Sequence, residues 1–338
     1  MATIKDIADQ LHFSVSTISK GLNGASDISE KTRRLILDAA MKMGYIPKQS
    51  QRLGAGLTRI CVFIENMDYE RVEQFGYDII LGFKLEAASE RWDVSIVPLA
   101  MNRKSECGYE DYMRANHYAA GFLLGFRLHD DWLAQIERTN VPTVLLDNVV
   151  YRKNVACVGV DNQQGIFYAV EHLAGLSHRK IALLNGEADS CVSRERLAGF
   201  RLGMEKCGLT VQKELVADGD DKAEGTGGVV RKFIREGATA IVCASDLLAH
   251  RVLCELHRAS LRVPDEVSVT GFDDLPLASY TTPSLTTVRQ DRLAIGKNVC
   301  KVLVQLLGGN SVSRLLLAPE LVVRESTGRP KPEPGSKK

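Results

Sequence analysis

The sequence predicts a small all-α unit at the N-terminus, joined to a larger α/β body with parallel sheets. Short segments with helical periodicity fill about the first 45 residues. From Arg59 onwards, short apolar runs alternate with amphipathic stretches, which is typical of βαβ units. A length of 338 residues, with 45% hydrophobic and 25% charged residues, fits a globular chain of two or three domains.

The N-terminal unit begins with two closely spaced helices. The first is predicted over residues 4–11, where apolar residues recur at three- and four-residue spacing, and Thr3 is placed to cap it. After a short turn, Ser14 is placed to cap the second helix. The side of this helix that we expect to be buried carries Val15, Ile18 and Leu22. Two helices this close together predict a helix-turn-helix.

A third amphipathic helix is predicted to open at Ser29 and to end at Gly44. The charge of this end of the chain is distinctive. Residues 1–59 carry nine Lys and Arg against five Asp and Glu, a net charge of +4, whereas the remaining residues carry 34 against 37, a net charge of −3. A basic unit on a slightly acidic body is expected of a nucleic-acid-binding module.

Composition excludes several classes of protein. No stretch approaches the roughly 20 uncharged apolar residues that a membrane helix needs, and the first residues lack the basic and apolar segments of a secretory signal. We therefore expect a cytoplasmic protein. The eight cysteines are scattered, without a Cys/His cluster at zinc-ligand spacing, so the sequence predicts reduced thiols, no metal site and no cofactor.

The body is predicted to alternate strands and helices. The predicted strands are Ile60 to Ile64, Val94 to Leu99, Gly121 to Gly125, Thr143 to Leu146, Ala156 to Val160, Lys180 to Leu184, Ala240 to Ala244 and Ser268 to Gly271. The predicted helices span about residues 75–91, 105–117, 131–138, 163–175, 192–207, 224–236, 246–259 and 291–307. This alternation predicts a three-layer α/β body and does not by itself specify a ligand.

Some residue patterns are more specific than this architecture. In the N-terminal unit they are Thr3-Ile4-x-Asp6-Ile7-Ala8, Ser14-Val15-Ser16-Thr17-Ile18-Ser19-Lys20-x-Leu22-Asn23, Ser29-x-x-Thr32-Arg33 and Gly44-Tyr45-Ile46-Pro47. In the body they include Arg196-Leu197-Ala198-Gly199-Phe200, Gly271-Phe272-Asp273-Asp274 and Thr282-Pro283-x-Leu285-Thr286-Thr287-Val288. With these patterns the chain resembles the LacI/GalR family of bacterial transcriptional regulators. The resemblance implies a helix-turn-helix headpiece, residues 1–46, joined to an α/β two-lobed periplasmic-binding-protein-like domain with parallel sheets.

The resemblance implies a repressor that binds a double-stranded DNA operator as a homodimer. Its second helix would enter the major groove, with base contacts from Val15, Ser16 and Lys20. Phosphate contacts are implied for Thr3, Ser14, Thr17, Ser19, Asn23, Ser29 and Thr32. Two other interpretations stay open: Val15 could belong to the core, and Ser14 caps a helix with or without DNA. His12 occupies a turn position where the family generally has Gly, so we expect a positive φ there.

Residues 47–58 are predicted to form the hinge linker. In the resembled family this segment folds into a helix on DNA, and a leucine wedges into the minor groove. Arg52 keeps its expected place, but Gly54 occupies the leucine position and Leu53 lies one residue too early. Either Leu53 serves as the wedge after a local shift, or the hinge is weak.

The resemblance also implies that a small-molecule effector binds between the two lobes of the body. The expected N-lobe comprises residues 59–157 and 290–322, and the expected C-lobe comprises residues 158–289. Residues 323–338 are expected to form a C-terminal tail, disordered from about residue 328.

Four residues match the family's effector contacts, namely Asp147, Arg196, Asp246 and Asp273. Glu65 and Asn66, which follow the first strand, and Ser245 are further candidate contacts. Carboxylates and a guanidinium suit the hydroxyl groups of a sugar or sugar derivative. Each has a plainer alternative, because Asp246 could be a helix N-cap, Asp273 a turn residue and Arg196 a surface ion pair. Ser245 stands where many members have Asn, and residues 218–221 lack an aromatic that some members stack on the sugar. Four aromatics could replace it, although core packing is their more common role: Tyr69, Phe75, Tyr77 and Trp132.

The main alternative function is a cytoplasmic sugar-binding or sugar-modifying protein without regulatory DNA binding. Residues 225–230 superficially resemble a nucleotide loop but lack its final glycine. The sequence also has no phosphate-binding P-loop, serine-hydrolase or zinc-protease motif. We therefore predict a regulator that is not an enzyme. The sequence does not distinguish an inducer from a co-repressor.

Overall fold

The computed structural model describes residues 4–22, 28–29, 32–33, 35–36, 39, 43, 57–99, 107–219 and 225–331. Several predictions fall outside these residues. They concern Thr3, Asn23, Arg52, Leu53, Gly54, most of the linker 47–58, and the last seven residues of the tail.

The headpiece contains two helices in the predicted places, α1 (Ile4–Leu11) and α2 (Val15–Leu22). Its core holds Ile7 of α1, Ile18 of α2 and Ile36 of a third helical stretch, all fully buried. The turn between α1 and α2 passes through His12 at a φ of +55°, as expected.

The first lobe is built on six parallel strands. They are β1 (Arg59–Ile64), β2 (Asp93–Pro98), β3 (Ala120–Leu124), β4 (Thr143–Leu146), β5 (Val155–Val160) and β11 (Arg314–Leu317), in the order β11-β5-β4-β3-β1-β2. The helices of this lobe are α3 (Phe75–Ser89), α4 (Tyr109–Ala115), α5 (Asp131–Ile136) and α10 (Arg292–Leu307). Their apolar sides bury the two faces of the sheet in separate clusters.

The second lobe contains the other sheet, again of six strands. They are β6 (Ile181–Asn185), β7 (Val216–Asp218), β8 (Ala240–Cys243), β9 (Ser268–Asp273), β10 (Thr286–Arg289) and β12 (Glu320–Val322), in the order β12-β10-β9-β8-β6-β7. All neighbours are parallel except β12, which is antiparallel to β10. The helices are α6 (Asn162–Gly175), α7 (Cys191–Lys206), α8 (Thr226–Arg235) and α9 (Asp246–Arg258), with short 3-10 turns at Lys213–Leu215 and Pro276–Ser279.

The chain crosses between the lobes three times: after β5, after β10 and between β11 and β12. These crossings lie a few residues from the expected lobe boundaries. Residues 158–160 complete β5 of the first sheet, and residues 320–322 pair with β10 of the second. The crossing strands lie at the β11-β5 edge of one sheet and the β12-β10 edge of the other, so this side of the molecule forms the hinge.

The segment expected to begin a tail is part of the second lobe up to residue 328. Ser326 is fully buried, and its hydroxyl donates a hydrogen bond of 2.6 Å to the Val269 carbonyl of β9. The Gly328 carbonyl lies 2.8 Å from His178 Nε2. The expectation of disorder from about residue 328 is therefore corrected for residues 328–331, which the structure describes.

Candidate DNA-binding surface and interlobe cleft

Helix α2 is fixed at its N-terminus by the predicted cap. The Ser14 hydroxyl accepts a hydrogen bond of 3.0 Å from the Thr17 backbone N–H and lies 2.8 Å from the Thr17 hydroxyl. Fully buried Ile18 anchors the opposite side of the helix in the headpiece core. The helix is therefore held from one side, which leaves its other side open.

The open side of α2 carries the residues expected to contact bases. Val15 is 45% exposed, and Ser16 and Lys20 are also exposed. The expectation that Val15 lies on the buried side, and the alternative that it belongs to the core, are therefore wrong. An exposed aliphatic side chain at the first turn, next to a hydroxyl and an ammonium group, can contact a thymine methyl and base-edge acceptors.

A second hydroxyl pair repeats the geometry of the first. Ser29 and Thr32 hydroxyl oxygens are 2.8 Å apart, and the Thr32 N–H donates a 3.1 Å hydrogen bond to Ser29 Oγ. Ser29 is exposed, whereas Thr17, Ser19 and Thr32 are half-buried. Capped helix N-termini with neighbouring hydroxyls are suited to phosphate groups.

The cleft residues lie where strands of the two sheets end. Glu65 and Asn66 follow β1, and Asp147 follows β4, in the first lobe. Asp273 ends β9 in the second lobe, where Arg196 projects from α7. Three of these positions have positive φ angles, +48° at Asn66, +55° at Asp147 and +118° at Asp273. Such backbone strain in non-glycine residues clusters at functional sites.

Arg196 is a buried residue, so the alternative of a surface ion pair is wrong. Its side chain is only 7% exposed, and its guanidinium carbon lies 3.7 Å from the centre of the Phe272 ring. Nε donates a 2.8 Å hydrogen bond to Asn162 Oδ1, and Nη1 donates to the Ala244 carbonyl. Nη2 lies 3.7 Å from Asp273 Oδ1. The guanidinium thus joins three segments of the second lobe.

Asp273 connects this cluster to the hinge. Its Oδ1 accepts a 2.7 Å hydrogen bond from Gln290, which lies between β10 and α10. Its carbonyl accepts a 3.4 Å hydrogen bond from Arg292, whose Nη2 also lies 2.9 Å from Asp78 of α3. Arg292 is 3% exposed, so this chain of contacts runs through the interior from one lobe to the other.

Asp147 is a first-lobe carboxylate whose pKa is affected by the charges of Arg196 and Asp273 in the second lobe. Its Oδ1 is buried and accepts no hydrogen bond from any described residue. Burial raises the pKa of Asp147 to about 7, although the Arg196 guanidinium partly opposes the effect. A Cβ at position 159 would overlap Asp147 Oδ1, so any larger residue there would displace the carboxylate. Asp147 Oδ1 is thus a hydrogen-bond acceptor without a donor among the described residues, and the charge of Arg196 in the other lobe acts on the same carboxylate.

The side chains of Ser245 and Asp246 form hydrogen bonds within the second lobe. Ser245 caps α9, since its Oγ accepts a 3.1 Å hydrogen bond from the Leu248 N–H. Asp246 is fully buried, and its two carboxylate oxygens accept from the Leu275 N–H at 2.7 Å and from the Thr287 hydroxyl. Burial and the nearby Asp273 carboxylate raise the pKa of Asp246 well above its usual range. Asp246 therefore holds a loop against β10 inside the second lobe.

The aromatic candidates divide into two groups. Trp132 and Tyr77 are 1% and 4% exposed and belong to hydrophobic clusters of the first lobe. Tyr69 and Phe75 are half-buried, and the Phe75 ring centre lies 6.0 Å from the Arg292 guanidinium carbon. Phe75 is thus the candidate aromatic that lies next to the interlobe contacts.

Contacts across the cleft involve residues that sequence reasoning missed. Arg127 Nη2, after β3, lies 2.8 Å from Glu187 Oε2, after β6, and His129 Nε2 lies 3.6 Å from Asp189 Oδ1. Glu187 and Asp189 also line a cavity of about 450 Å³. Nothing in the local sequence marks these pairs, because their members are 60 residues apart in the chain.

No helix in the described part of the chain is long and apolar enough to cross a membrane. Among the same residues, no group of three or more His, Cys, Asp or Glu side chains is arranged to hold a metal ion.

Family models match both parts of the chain. The model for bacterial regulatory proteins of the lacI family matches residues 3–48, and the model for a periplasmic binding protein-like domain matches residues 170–327. The HTH-type transcriptional regulator reg1 of Streptomyces lividans is 31% identical over 342 residues, covering 96% of both chains. The chain belongs to the lacI family of bacterial regulatory proteins. It is a DNA-binding transcriptional regulator.

Other relatives of this lacI-family chain agree over its whole length. The HTH-type transcriptional repressor CytR of Escherichia coli K12 is 29% identical and covers 96% of each chain. Among solved structures, the transcriptional regulator CelR in complex with cellobiose has a TM-score of 0.72 and 25% identity, covering 96% of this chain and all of the other. The Lac repressor bound to ONPG in a repressed state has a TM-score of 0.69 and 28% identity, with coverages of 96% and 99%. The headpiece and the two-lobed body are thus both those of the family.

Proposed function

We propose that this chain is a cytoplasmic repressor that binds its operator as a homodimer and responds to a polyhydroxylated effector, a sugar or sugar derivative, in the interlobe cleft. It carries out no catalysis. The Lac repressor is described in a solved structure as a dimer bound to operator, at 27% identity and a TM-score of 0.67. That relative supports the dimer, and the exposed side of α2 supports the operator contact.

In this proposal, α2 occupies the major groove. Val15, Ser16 and Lys20 read base edges, because they are the exposed side chains at the first turns of a helix held by its opposite side. Ser14, Thr17, Ser19, Ser29 and Thr32 hold phosphates and thereby set the register of the helix on the duplex. In a homodimer, two copies of α2 read two half-sites one helical turn apart or a multiple of it.

The effector proposal depends on one observation: the buried Oδ1 of Asp147 accepts no hydrogen bond from the described residues. A buried acceptor without a donor is costly, and an effector hydroxyl would remove that cost. The partners for the rest of the effector are Arg196 and Asp273 in the other lobe and Glu65 and Asn66 beside β1. The cellobiose complex of CelR supports a sugar as the class of ligand.

Coupling between effector and DNA follows from the three crossings of the hinge. A ligand that contacts both lobes stabilises one relative position of the lobes, and the first lobe continues directly into the linker at Leu57. Operator and effector affinities then change reciprocally, typically by 1–3 kcal/mol.

The DNA proposal is tested by fluorescence anisotropy with duplex from upstream of the chain's own gene and with random duplex, at two salt concentrations. The wild type should bind the upstream duplex at least about 10³-fold more tightly. Lys20→Ala should reduce this ratio, and the loss of binding free energy that is specific to the upstream duplex should be about 1–3 kcal/mol. Lys5→Ala, which removes an exposed charge from α1, is the matched control and should leave the ratio unchanged. Equal affinity of the wild type for both duplexes would overturn the proposal.

The effector proposal is tested by thermal shift and calorimetry with mono- and disaccharides, beginning with cellobiose. A binding sugar should raise the melting temperature and change operator affinity. Asp147→Asn should weaken the binding of the sugar. Glu137→Gln, which removes an exposed carboxylate outside the cleft, should leave the binding unchanged. Absence of binding across the panel would count against a sugar effector, and turnover of a bound sugar would contradict a non-enzymatic role.

A further inference from the structure

A group of exposed cations lies on the first lobe at the edge where the linker enters. It comprises Arg138, Arg152 and Lys153, together with Tyr151, whose side chain is 92% exposed. We refer to these four residues as the edge patch. Its members come from two loops, and the proposed contacts of the headpiece do not involve it.

Strand register places the edge patch at the N-terminal edge of the first sheet. The first residues of β1, β3, β4 and β5 lie side by side, with Ile60 opposite Ala120, Gly121 opposite Thr143 and Thr143 opposite Val155. The linker enters this edge, since the Thr58 carbonyl accepts a 3.0 Å hydrogen bond from the Asp93 N–H. Strands are about 4.8 Å apart, so β5 begins about 15 Å from β1.

Hydrogen bonds hold the two loops of the patch together. Asn154 Nδ2 donates to the Thr139 and Val141 carbonyls, both at 3.0 Å, and the Asn154 carbonyl accepts from the Thr143 N–H at 3.0 Å. The loop that carries Arg152 and Lys153 is therefore joined to the loop that follows Arg138, even though Arg138 and Arg152 are 14 positions apart in the chain. The arrangement is therefore fixed by the Asn154 side chain and by a backbone hydrogen bond before any partner binds.

The charges of the patch are not compensated within the described structure. Arg138, Arg152 and Lys153 form no ion pair with any described residue, whereas Arg59 and Arg114 at the same edge pair with Asp93 and Asp111. The acidic neighbour of the patch is exposed Glu137, which leaves a net charge of +2 for Arg138, Arg152, Lys153 and Glu137 together.

We infer that the edge patch is a second DNA-contacting surface, which binds backbone phosphates beside the site occupied by the headpiece. The inference rests on the DNA-binding function. The partner is identified by charge and position, because the patch is cationic and lies at the edge from which the chain leads to the headpiece. Arg and Lys neutralise phosphates, and the Tyr151 hydroxyl can donate to a phosphate oxygen. Such contacts raise affinity without reading sequence.

The experiment measures the salt dependence of binding of the full chain to a labelled random-sequence duplex. Binding that depends on phosphate contacts falls with salt, with a slope of about −0.9 in log K against log salt for each contact. The patch variant is Arg138→Ala/Arg152→Ala/Lys153→Ala. If the variant loses one to three phosphate contacts per protomer, its slope should be shallower by about 0.9 to 2.7. Between about 50 and 200 mM salt, the affinity of the wild type should then fall about 3- to 40-fold more per protomer than the affinity of the variant.

The matched control is Arg201→Ala/Lys206→Ala/Lys213→Ala. It removes the same charge from exposed residues of the second lobe, which lie outside the edge that receives the linker. A slope change in the patch variant alone supports the inference. Equal changes in both variants, or no change in either, overturn it. If the binding of the wild type does not depend on salt, the DNA-binding function itself is contradicted, and this outcome is distinguishable from failure of the edge-patch inference. Circular dichroism and melting temperatures verify that both variants fold.

Discussion

Arg127 of the first lobe forms an ion pair with Glu187 of the second, with 2.8 Å between Nη2 and Oε2. The neighbouring Leu128 N–H lies 3.4 Å from the Asp189 carbonyl, and His129 Nε2 lies 3.6 Å from Asp189 Oδ1. β3 and β6, which precede these loops, are two strands from β5 and three strands from β10, the strands that lead into the hinge. The contacts therefore join the two lobes at a distance from the hinge strands, where they oppose separation of the lobes.

Reversing one charge of this pair should open the cleft. The pair is about half exposed, with side-chain exposures of 47% and 41%, so it contributes roughly 0.2–1 kcal/mol. Arg127→Glu replaces this attraction by repulsion. Hydrogen exchange measured by mass spectrometry should increase in residues 125–130 and 186–190.

The double variant Arg127→Glu/Glu187→Arg restores opposite charges and should restore the protection. As a control, Arg262→Glu disrupts exposed ion pairs within the second lobe and should leave cleft exchange unchanged. If the double variant exchanges as fast as the single variant, the ion pair does not hold the lobes together.

Local sequence patterns predicted most elements but not the short edge strands. The eight predicted strands are present, and the ends of most elements lie within two residues of the predicted positions. The strands β7, β10 and β12 were missed as strands because each has only three or four residues and a short apolar run. β11 was also missed, although it contains Leu315, Leu316 and Leu317. β7, β11 and β12 are also edge strands that are only partly buried, and β10 lies beside an edge.

Site residues divide in the same way. Ser14 and Ser29 were predictable because a helix cap depends on residues three positions away. The role of Asp246 was not predictable from the sequence. Its two carboxylate oxygens accept hydrogen bonds from Leu275 and Thr287, which lie 29 and 41 residues further along the chain. Contacts between distant segments set these roles, and a single sequence does not display them.

Asp147→Asn should stabilise the protein at alkaline pH. The pKa of Asp147 is raised to about 7 in the folded chain, so the folded state binds more protons than the unfolded state between about pH 4 and pH 7. Stability from this residue therefore falls as pH rises through that window. The variant should melt close to the wild type at about pH 4 and several degrees above it at pH 8. Glu137→Gln gives the baseline for removing one exposed carboxylate, and an effect of Asp147→Asn that does not grow with pH would contradict the burial argument.

Gly296→Ala should destabilise the first lobe. Helices α3 and α10 approach closely, and a Cβ at position 296 would overlap the Ile79 carbonyl oxygen. Because that neighbour is backbone, the helices must separate, at a cost of about 1–3 kcal/mol or more. Gly175→Ala is the control, since nothing lies within 4 Å of its added methyl and the helical alanine should be neutral or stabilising by up to about 1 kcal/mol. Urea denaturation compares the two, and equal stabilities would contradict the close approach.

His178 should make the second lobe sensitive to acid. Its imidazole is 1% exposed, with Nδ1 2.9 Å from the Thr239 hydroxyl and Nε2 2.8 Å from the Gly328 carbonyl. Burial lowers the pKa of His178, so its contribution to stability is complete above the unfolded pKa of about 6.5 and is lost as pH falls. His178→Gln should lower the unfolding free energy at pH 7.5 by about 1–3 kcal/mol, because the buried partners lose hydrogen bonds.

The same variant should show a smaller further loss between pH 7.5 and pH 5 than the wild type. Some acid dependence should remain, since burial also lowers the pKa of His172, which is hydrogen-bonded to Thr327. His250→Gln, at an exposed position of α9, controls for the loss of one imidazole. Urea titrations at four pH values measure these differences. A His178 variant that keeps the full acid dependence of the wild type would show that the C-terminal segment is not held by a neutral imidazole.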